Sequence, residues 1–320
     1  MPTVGFHASH EQLAPSSLLA AVQAAEAAGF QAAMCSDHLA PWSARQGNSG
    51  HAWTWLGAAL QATSLPFGVV TAPGQRYHPA IIAQAIATLG ELFPGRFWAA
   101  LGSGEAVNEH VTGEAWPSKQ VRDARLLECV GVIRDLLAGR EVSHDGLIKV
   151  DRARLWVEPP GPPDLIGAAV SEATAERCGA WADGLITVNQ PVAALTRVLE
   201  AFRTGGGKGK PAYLQVHLSW AEDDDTARQI AHEQWSSNMF DSEVAWELDT
   251  PAGFDAAAKF VRPEDVDAAV LISSDTERHL AWLIELADIG FDGLFLHHVG
   301  QQQERFIETF GDKVIPDLAS

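Results

Sequence analysis

The feature of this sequence that most narrows its possible folds is an alternation. Short apolar runs and amphipathic stretches with helical punctuation succeed one another along the chain. Thr3 to His7 (TVGFH) reads as a strand. Pro15-Ser16 opens a helix through Ala28, with serine as its N-cap and Gly29 closing it. Further strands are expected at Gln31 to Ser36, Pro66 to Thr71, Arg96 to Leu101, Leu165 to Ala169, Gly184 to Val188, Ala212 to Ser219 and Gly293 to His297. Helices are expected from about Trp53 to Thr63, Pro79 to Leu92, Lys119 to Ala138, Ser171 to Ala180, after Pro191, from Thr276 to Ile289, and from Gln303. Ser143 to Val157 alternates around Asp145-Gly146 as an inserted hairpin does, and Gly205-Gly206-Gly207 marks a flexible turn. Repeated strand–helix units with right-handed crossovers predict an α/β fold, a closed (β/α)8 TIM barrel with insertions after strands four and seven. The alternative, an open doubly wound sheet, lacks its GxGxxG fingerprint after the first strand. The excursion from Ala221 to Arg262 is expected to fold over the barrel.

Composition fits that architecture and bounds the partners. The 320 residues are 47% hydrophobic and 20% charged, enough to build a large core. Lys and Arg number 22 against 41 Asp and Glu, a formal net charge of −19 that repels phosphate backbones and anionic lipid. Nucleic acid and membranes are therefore poor partners, and a small molecule is the expected one. Cys35, Cys129 and Cys178 form no CxxC pair, which argues against a disulfide framework and for a reducing, cytoplasmic setting. No signal peptide and no membrane span is expected from the sequence.

In such barrels chemistry sits at the C-terminal ends of the strands. Ser36-Asp37-His38-Leu39-Ala40-Pro41-Trp42 places a histidine, the side chain best suited to proton exchange near neutrality, beside a carboxylate and an indole. A structural loop with a surface histidine is an equally good reading of this stretch alone. Leu101-Gly102-Ser103-Gly104-Glu105-Ala106-Val107-Asn108-Glu109 offers glycines for close backbone approach, Glu105 as an acid and Asn108 as a hydrogen-bonding group. A glycine-rich turn with a solvated carboxylate is its bland counterpart. Val170-Ser171-Glu172 opens a helix whose free N–H groups suit a phosphate, although Ser171 also reads as a plain N-cap. His7, His10, His297 and His298 are candidates to line the pocket, while Trp53, Trp55, Trp116, Trp235 and Trp246 read first as core.

Together these motifs resemble the luciferase-like superfamily of flavin- and deazaflavin-dependent oxidoreductases, and within it the branch of coenzyme F420-dependent glucose-6-phosphate dehydrogenases. The resemblance runs through SDHLAPW (Ser36 to Trp42), the stretch from Thr71 to Arg96, LGSGEAVNE (Leu101 to Glu109), WADGLITV (Trp181 to Val188) and GFDGLFLHHVG (Gly290 to Gly300). It implies one barrel domain over residues 1–320 and a homodimer. It implies His38 as base, Glu105 as proton donor and Trp42 as pocket wall. Asp37, Thr71, Gly102, Gly104, Glu105, Asn108, Val170 and Ser171 would contact the cofactor. Two departures bear on the cofactor and substrate. Thr187 to Pro191 and Pro251 to Arg262 lack the branch's phosphate-binding lysines at matching places, Lys259 being shifted. The glycine-rich turn of F420 users after strand five is here Ala168-Ala169-Val170-Ser171. The resemblance therefore points to FMN, with coenzyme F420 as the alternative. The sequence leaves open whether O2 is a co-substrate. Two rivals stand beside this reading: a metal-dependent barrel hydrolase using clustered histidines, and a non-catalytic binding protein.

Overall fold

The computed structural model describes residues 1–319, and in it the apolar runs pair side by side in one direction. β1 (Thr3–Ala8), β2 (Ala32–Ser36), β3 (Phe67–Thr71) and β4 (Phe97–Leu101) precede an antiparallel hairpin of β5 (Val142–Asp145) and β6 (Lys149–Ala153). β7 (Asp164–Ala168), β8 (Gly184–Val188), β9 (Ala212–Ser219), the two-residue β10 (Leu271–Ile272) and β11 (Gly293–His298) follow. The order β9-β11-β1-β2-β3-β4-β7-β8 closes on itself because β9 also pairs with β8. Every pairing around this ring is parallel, which makes it a (β/α)8 barrel. β10 extends the edge of β9 outside the ring.

Around it run α1 (Pro15–Ala27), α2 (Ala52–Ala62), α3 (Pro79–Leu92), the short α4 (Ala106–Glu109), α5 (Lys119–Leu137), α6 (Glu172–Trp181) and α7 (Val192–Phe202). The excursion after β9 holds α8 (Asp224–Trp235), α9 (Ser242–Ala245) and α10 (Pro251–Ala258), and the chain ends with α11 (Thr276–Asp288), α12 (Gln303–Lys313) and α13 (Ile315–Ala319). Insertions thus follow β4 and β9, the fourth and seventh strands of the ring. No helix among the described residues is long and apolar enough to cross a membrane.

Two local expectations need correction. Ser16 does not cap α1: the N-cap is Ala14, without a side-chain hydrogen bond, and Pro15 takes the first helical position. Proline's fixed φ and missing N–H start a helix without a capping side chain. The glycines at 205–207 are not a loose turn. They turn tightly against α6, with Gly206 at φ +112°, and a Cβ on Gly205 would lie 1.9 Å from the Glu176 carbonyl oxygen.

Strand periodicity layers the barrel interior, since alternate side chains point inward. Trp98 and Tyr213 stack at 5.2 Å, with Phe295 edge-on to both, and fill the lower barrel together with Met34, Ile166 and Ile186. Met34, Ile166, Ile186 and Phe295 are the buried members of this layer, and each contributes roughly 1.5–3 kcal/mol. Two residues further along the same strands the character changes: Tyr213 gives way to Gln215 and His217, and Phe295 to His297. The aromatic layer plugs the barrel. The polar layer above it is the floor of the site.

Candidate active site

The C-terminal mouth holds a cavity of about 620 Å³, bounded by the ends of β2, β3, β4, β7, β8 and β9 and by the excursion after β9. His38, Trp42, Asp37, Thr71, Gly102, Gly104, Glu105, Asn108 and Val170 all border it. Ser171 does not. Its hydroxyl accepts from the Thr174 N–H and caps α6 on the exposed side, while Thr174 is the residue that reaches the cavity.

His38 is held by a residue that the sequence reading passed over. Its Nδ1 lies 2.5 Å from Oε1 of Glu11, which is 1% exposed and whose other oxygen accepts from Ser9 Oγ at 2.6 Å. Burial alone would push the imidazole down, but the charge and hydrogen bond of Glu11, with Glu105 adding, raise its pKa above the usual histidine value. Burial likewise pushes Glu11 up, and His38 overrides it, drawing the carboxyl down to about 2. Glu11 sits in the loop after β1. The rule that strand-end loops carry chemistry would have found it, had the first loop been searched like the others.

Asp37 borders the cavity with its carboxylate committed to protein partners. Trp53 Nε1 donates to its Oδ2 at 3.1 Å, Thr71 Oγ1 at 2.9 Å, and Tyr77 OH donates to Oδ1 at 3.3 Å. Arg76 donates to the Asp37 carbonyl at 2.7 Å and lies 3.4 Å from its carboxylate, and its own backbone N–H donates to Glu109 at 2.6 Å. Asp37, Arg76 and Glu109 thus form a buried brace between the loops after β2, β3 and β4. Burial raises the Glu109 pKa, with Arg76 and Arg125 opposing it. Arg76 and Glu109 lie within the quoted motifs, yet sequence reasoning gave them no role.

Asn108 links the same loops. Its Oδ1 accepts from the Leu39 N–H at 2.8 Å, and its Nδ2 faces Glu105 at 3.4 Å. The SDHLAPW loop is therefore hung from the β4 loop. Gly104, at φ +85°, turns the chain where a Cβ would meet Glu109 Cγ at 3.2 Å and Trp116 at 3.4 Å. Glycine alone takes that conformation without strain.

The remaining wall is aromatic. His38 meets Trp42 edge-on at 4.5 Å, Trp42 meets Trp235 at 6.0 Å, and His217 lies 4.4 Å from Trp235. Met239, Phe240, Trp246 and Phe254 continue it. The excursion is fastened at two points: the Trp246 carbonyl accepts from the Ala106 N–H at 3.1 Å, and Asp255 accepts from Ser43 Oγ at 2.6 Å. Trp235 and Trp246 are thus pocket residues, whereas Trp53 and Trp55 belong to the core.

None of His7, His10, His297 and His298 borders the cavity. His7 and His297 stack at 4.2 Å beneath it, His10 packs edge-on to Trp55, and His298 stacks on Phe306. The floor residues are Gln215 and His217, a polar pair at alternate positions of an otherwise apolar strand. That spacing was legible and went unread. Among the described residues no three His, Cys, Asp or Glu side chains are grouped to hold a metal ion. Lys259 is exposed at the end of α10, and the lysine that does border the cavity is Lys119, bonded to Asp123.

A parallel barrel with a histidine–carboxylate pair at the mouth of a deep, aromatic-walled cavity defines a TIM-barrel enzyme. The chain belongs to the luciferase-like monooxygenase family, whose model matches residues 1–293, and is an oxidoreductase of that family. It is similar to an F420-dependent glucose-6-phosphate dehydrogenase of Nakamurella multipartita, 34% identical over 98% of this chain and 96% of the relative. The Mycobacterium tuberculosis enzyme of the same description is 32% identical over 98% and 97%. Among solved structures, an F420-dependent secondary alcohol dehydrogenase in complex with an F420–acetone adduct superimposes with a TM-score of 0.92 at 30% identity, covering 99% of both chains. An F420-dependent tetrahydromethanopterin reductase from Methanopyrus kandleri shares the fold alone, at 20% identity and TM-score 0.77 over 99% of both.

Proposed function

We propose that this protein moves a hydride between a small alcohol or carbonyl compound and a flavin-type ring held in the mouth cavity, with FMN as the carrier. The observation that carries this reading is the Glu11–His38 pair opening onto a cavity of about 620 Å³. That size is ordinary for a site that encloses a ligand. The residues present fit a flat ring. Gly104 brings backbone to the cavity without a side chain, Asn108 and Glu105 stand at its edge, and Val170 and Thr174 border it at the start of α6, where a phosphate is favoured.

The choice of FMN rests on charge. Arg76 and Lys119, the cations bordering the cavity, are held by Asp37 and Glu109 and by Asp123. Arg177 shares Asp123, and Arg197 is paired with Glu172 at the start of α6. A short phosphate needs only the helix N-terminus, whereas a long polyanionic tail would cross a surface whose cations are committed. Coenzyme F420 is the second reading, favoured by what the 34%-identical relative and the 30%-identical solved structure use.

When bound, the ring supplies a two-electron acceptor for the hydride. His38 takes the alcohol's hydroxyl proton as the carbinol hydride leaves, so the alcohol becomes a carbonyl. Glu11 stabilises the imidazolium that results. Glu105 borders the ring's place beside Asn108, and the Trp wall excludes water from the transfer. Single-turnover mixing tests this: cofactor-loaded protein with 1-phenylethanol should bleach the ring absorbance as acetophenone forms. No bleaching across a panel of small alcohols, and no reverse reaction with their ketones, would overturn it.

A further inference from the structure

The polar floor of the cavity carries a directed chain of hydrogen bonds that the reaction above does not use. It starts at a group that cannot turn around. Gln12 donates through Nε2 to the backbone carbonyl of Val299, so its Oε1 must be the atom facing His297 Nε2 at 2.8 Å. His297 therefore carries its proton on Nε2 and presents a lone pair at Nδ1. Gln215 Nε2 lies 3.1 Å from that Nδ1 and 3.1 Å from His217 Nε2. An amide nitrogen has two hydrogens and donates to both. Reversing the Gln215 amide would require His297 to be protonated on both nitrogens. Its complete burial, with the imidazoles of His7 and His217 against it, holds its pKa well below the usual value and forbids that. The chain thus runs one way, and His217 must carry its own proton on Nδ1.

That atom has no protein partner among the described residues, while His217 borders the cavity between Trp235 and the end of β8, its backbone N–H held by Asn189 at 3.0 Å. Unlike the enclosed Nδ1 atoms of His7 and His10, the His217 Nδ1 opens onto the cavity, where an occupant can accept from it. The occupant's chemistry follows from the surroundings. Trp42, Trp235, Met239 and Phe240 make an apolar body site, the bordering cations are committed, and Glu105 and Asp241 are carboxylates on the same cavity. An anionic substrate finds no free counter-charge there.

We propose that His217 Nδ1–H is the donor that holds the substrate oxygen, and that the substrate is an uncharged hydroxyl or carbonyl compound on an apolar or aromatic body. This rests on the hydride-transfer reading for the identity of the oxygen, but the donor and its relay stand on geometry. Gln12, Gln215 and His297 are positioning residues that act through the tautomer of His217.

The test reads tautomer and binding separately from turnover. Protein labelled with 15N-histidine and loaded with FMN is examined by long-range 15N–1H correlation, with acetophenone as the probe. His217 should appear as the neutral Nδ1–H form, and acetophenone should shift its Nδ1 signal. An Nε2–H form, an imidazolium, or an unmoved signal at saturating acetophenone would overturn the proposal. Kinetics give the second arm. Asparagine places an amide nitrogen near the position of Nδ1, glutamine near that of Nε2. His217→Gln and His217→Phe should raise KM for acetophenone about tenfold, and His217→Asn by clearly less than either. Equal losses in all three would contradict a donor at Nδ1. If the Nδ1 signal moves but no hydride is transferred, the hydride-transfer reading fails and the donor stands. If turnover is intact with the other tautomer, the reverse holds.

Discussion

Two groups of buried histidines lie in one barrel and meet opposite fates. On the β1–β4 side, His38 is enclosed yet its pKa is raised, because Glu11 stands 2.5 Å away. In and under the floor, His217 of β9 is pushed down to about 3 and His7 of β1, stacked on His297 of β11, to about 4, by burial first. For His217 the nearby imidazole of His7 adds to that. His7 is also opposed by the charge of Glu11, which burial outweighs. Burial is common to both groups. What separates them is a carboxylate within hydrogen-bond reach, which His38 has and His217 lacks. The lesson is that burial decides whether a histidine's charge is costly, and its partner decides whether it is kept. One mouth thereby holds a histidine whose proton affinity is raised by a carboxylate and another that burial keeps neutral.

The largest way to break the comparison is at the charged side's foundation. Asp37→Ala removes the carboxylate that holds Trp53, Thr71, Tyr77 and Arg76, and leaves a 7%-exposed guanidinium with half its partners. We expect a loss of roughly 3–5 kcal/mol in denaturant unfolding, the usual result of breaking a buried pair. His38→Ala comes next: turnover should fall about 100-fold, near 2.7 kcal/mol in the barrier, with cofactor affinity nearly intact. An unchanged rate would remove His38 from the mechanism.

Glu11→Gln sharpens the comparison because it turns the charged site into a copy of the neutral one. Alcohol oxidation needs unprotonated His38, so the wild-type rate should rise with pH through a value above 6.5. The substitution keeps the burial and removes the charge, so that limb should move to lower pH. A limb that does not move would show that Glu11 has no hold on His38. The pair also contributes to stability in a defined window. The raised His38 pKa gives a contribution complete below 6.5 and lost as pH climbs through the folded value. The lowered Glu11 pKa gives one complete above 4.5 and lost as pH falls toward about 2. The smallest effect is Gly104→Ala, which should cost about 1 kcal/mol from the left-handed backbone alone and weaken cofactor binding modestly.

Much of the barrel was legible because the strands are apolar and the turns are punctuated. α3 and β9 match their expected bounds to the residue. His38, Trp42, Gly104 and Glu105 were legible because they stand at strand ends, where the barrel concentrates chemistry. Apart from the Gln215–His217 alternation within β9, what was not read depends on contacts between distant segments. Glu11 touches His38 across 27 positions, and Gln12 meets His297 across 285. The spacing of neither pair marks it. Ser171 shows the opposite failure: its place at a helix start was right, and only the fold reveals that its hydroxyl is spent on the cap.

The account stands most directly on what the mouth cavity binds. Apo-protein titrated with FMN and, separately, with coenzyme F420, followed by ring absorbance and fluorescence quenching, decides it. Micromolar or tighter binding of FMN, weakened by Gly104→Ala, is the predicted result. Tight binding of coenzyme F420 alone would overturn the carrier assigned here, and binding of neither would contradict the central claim.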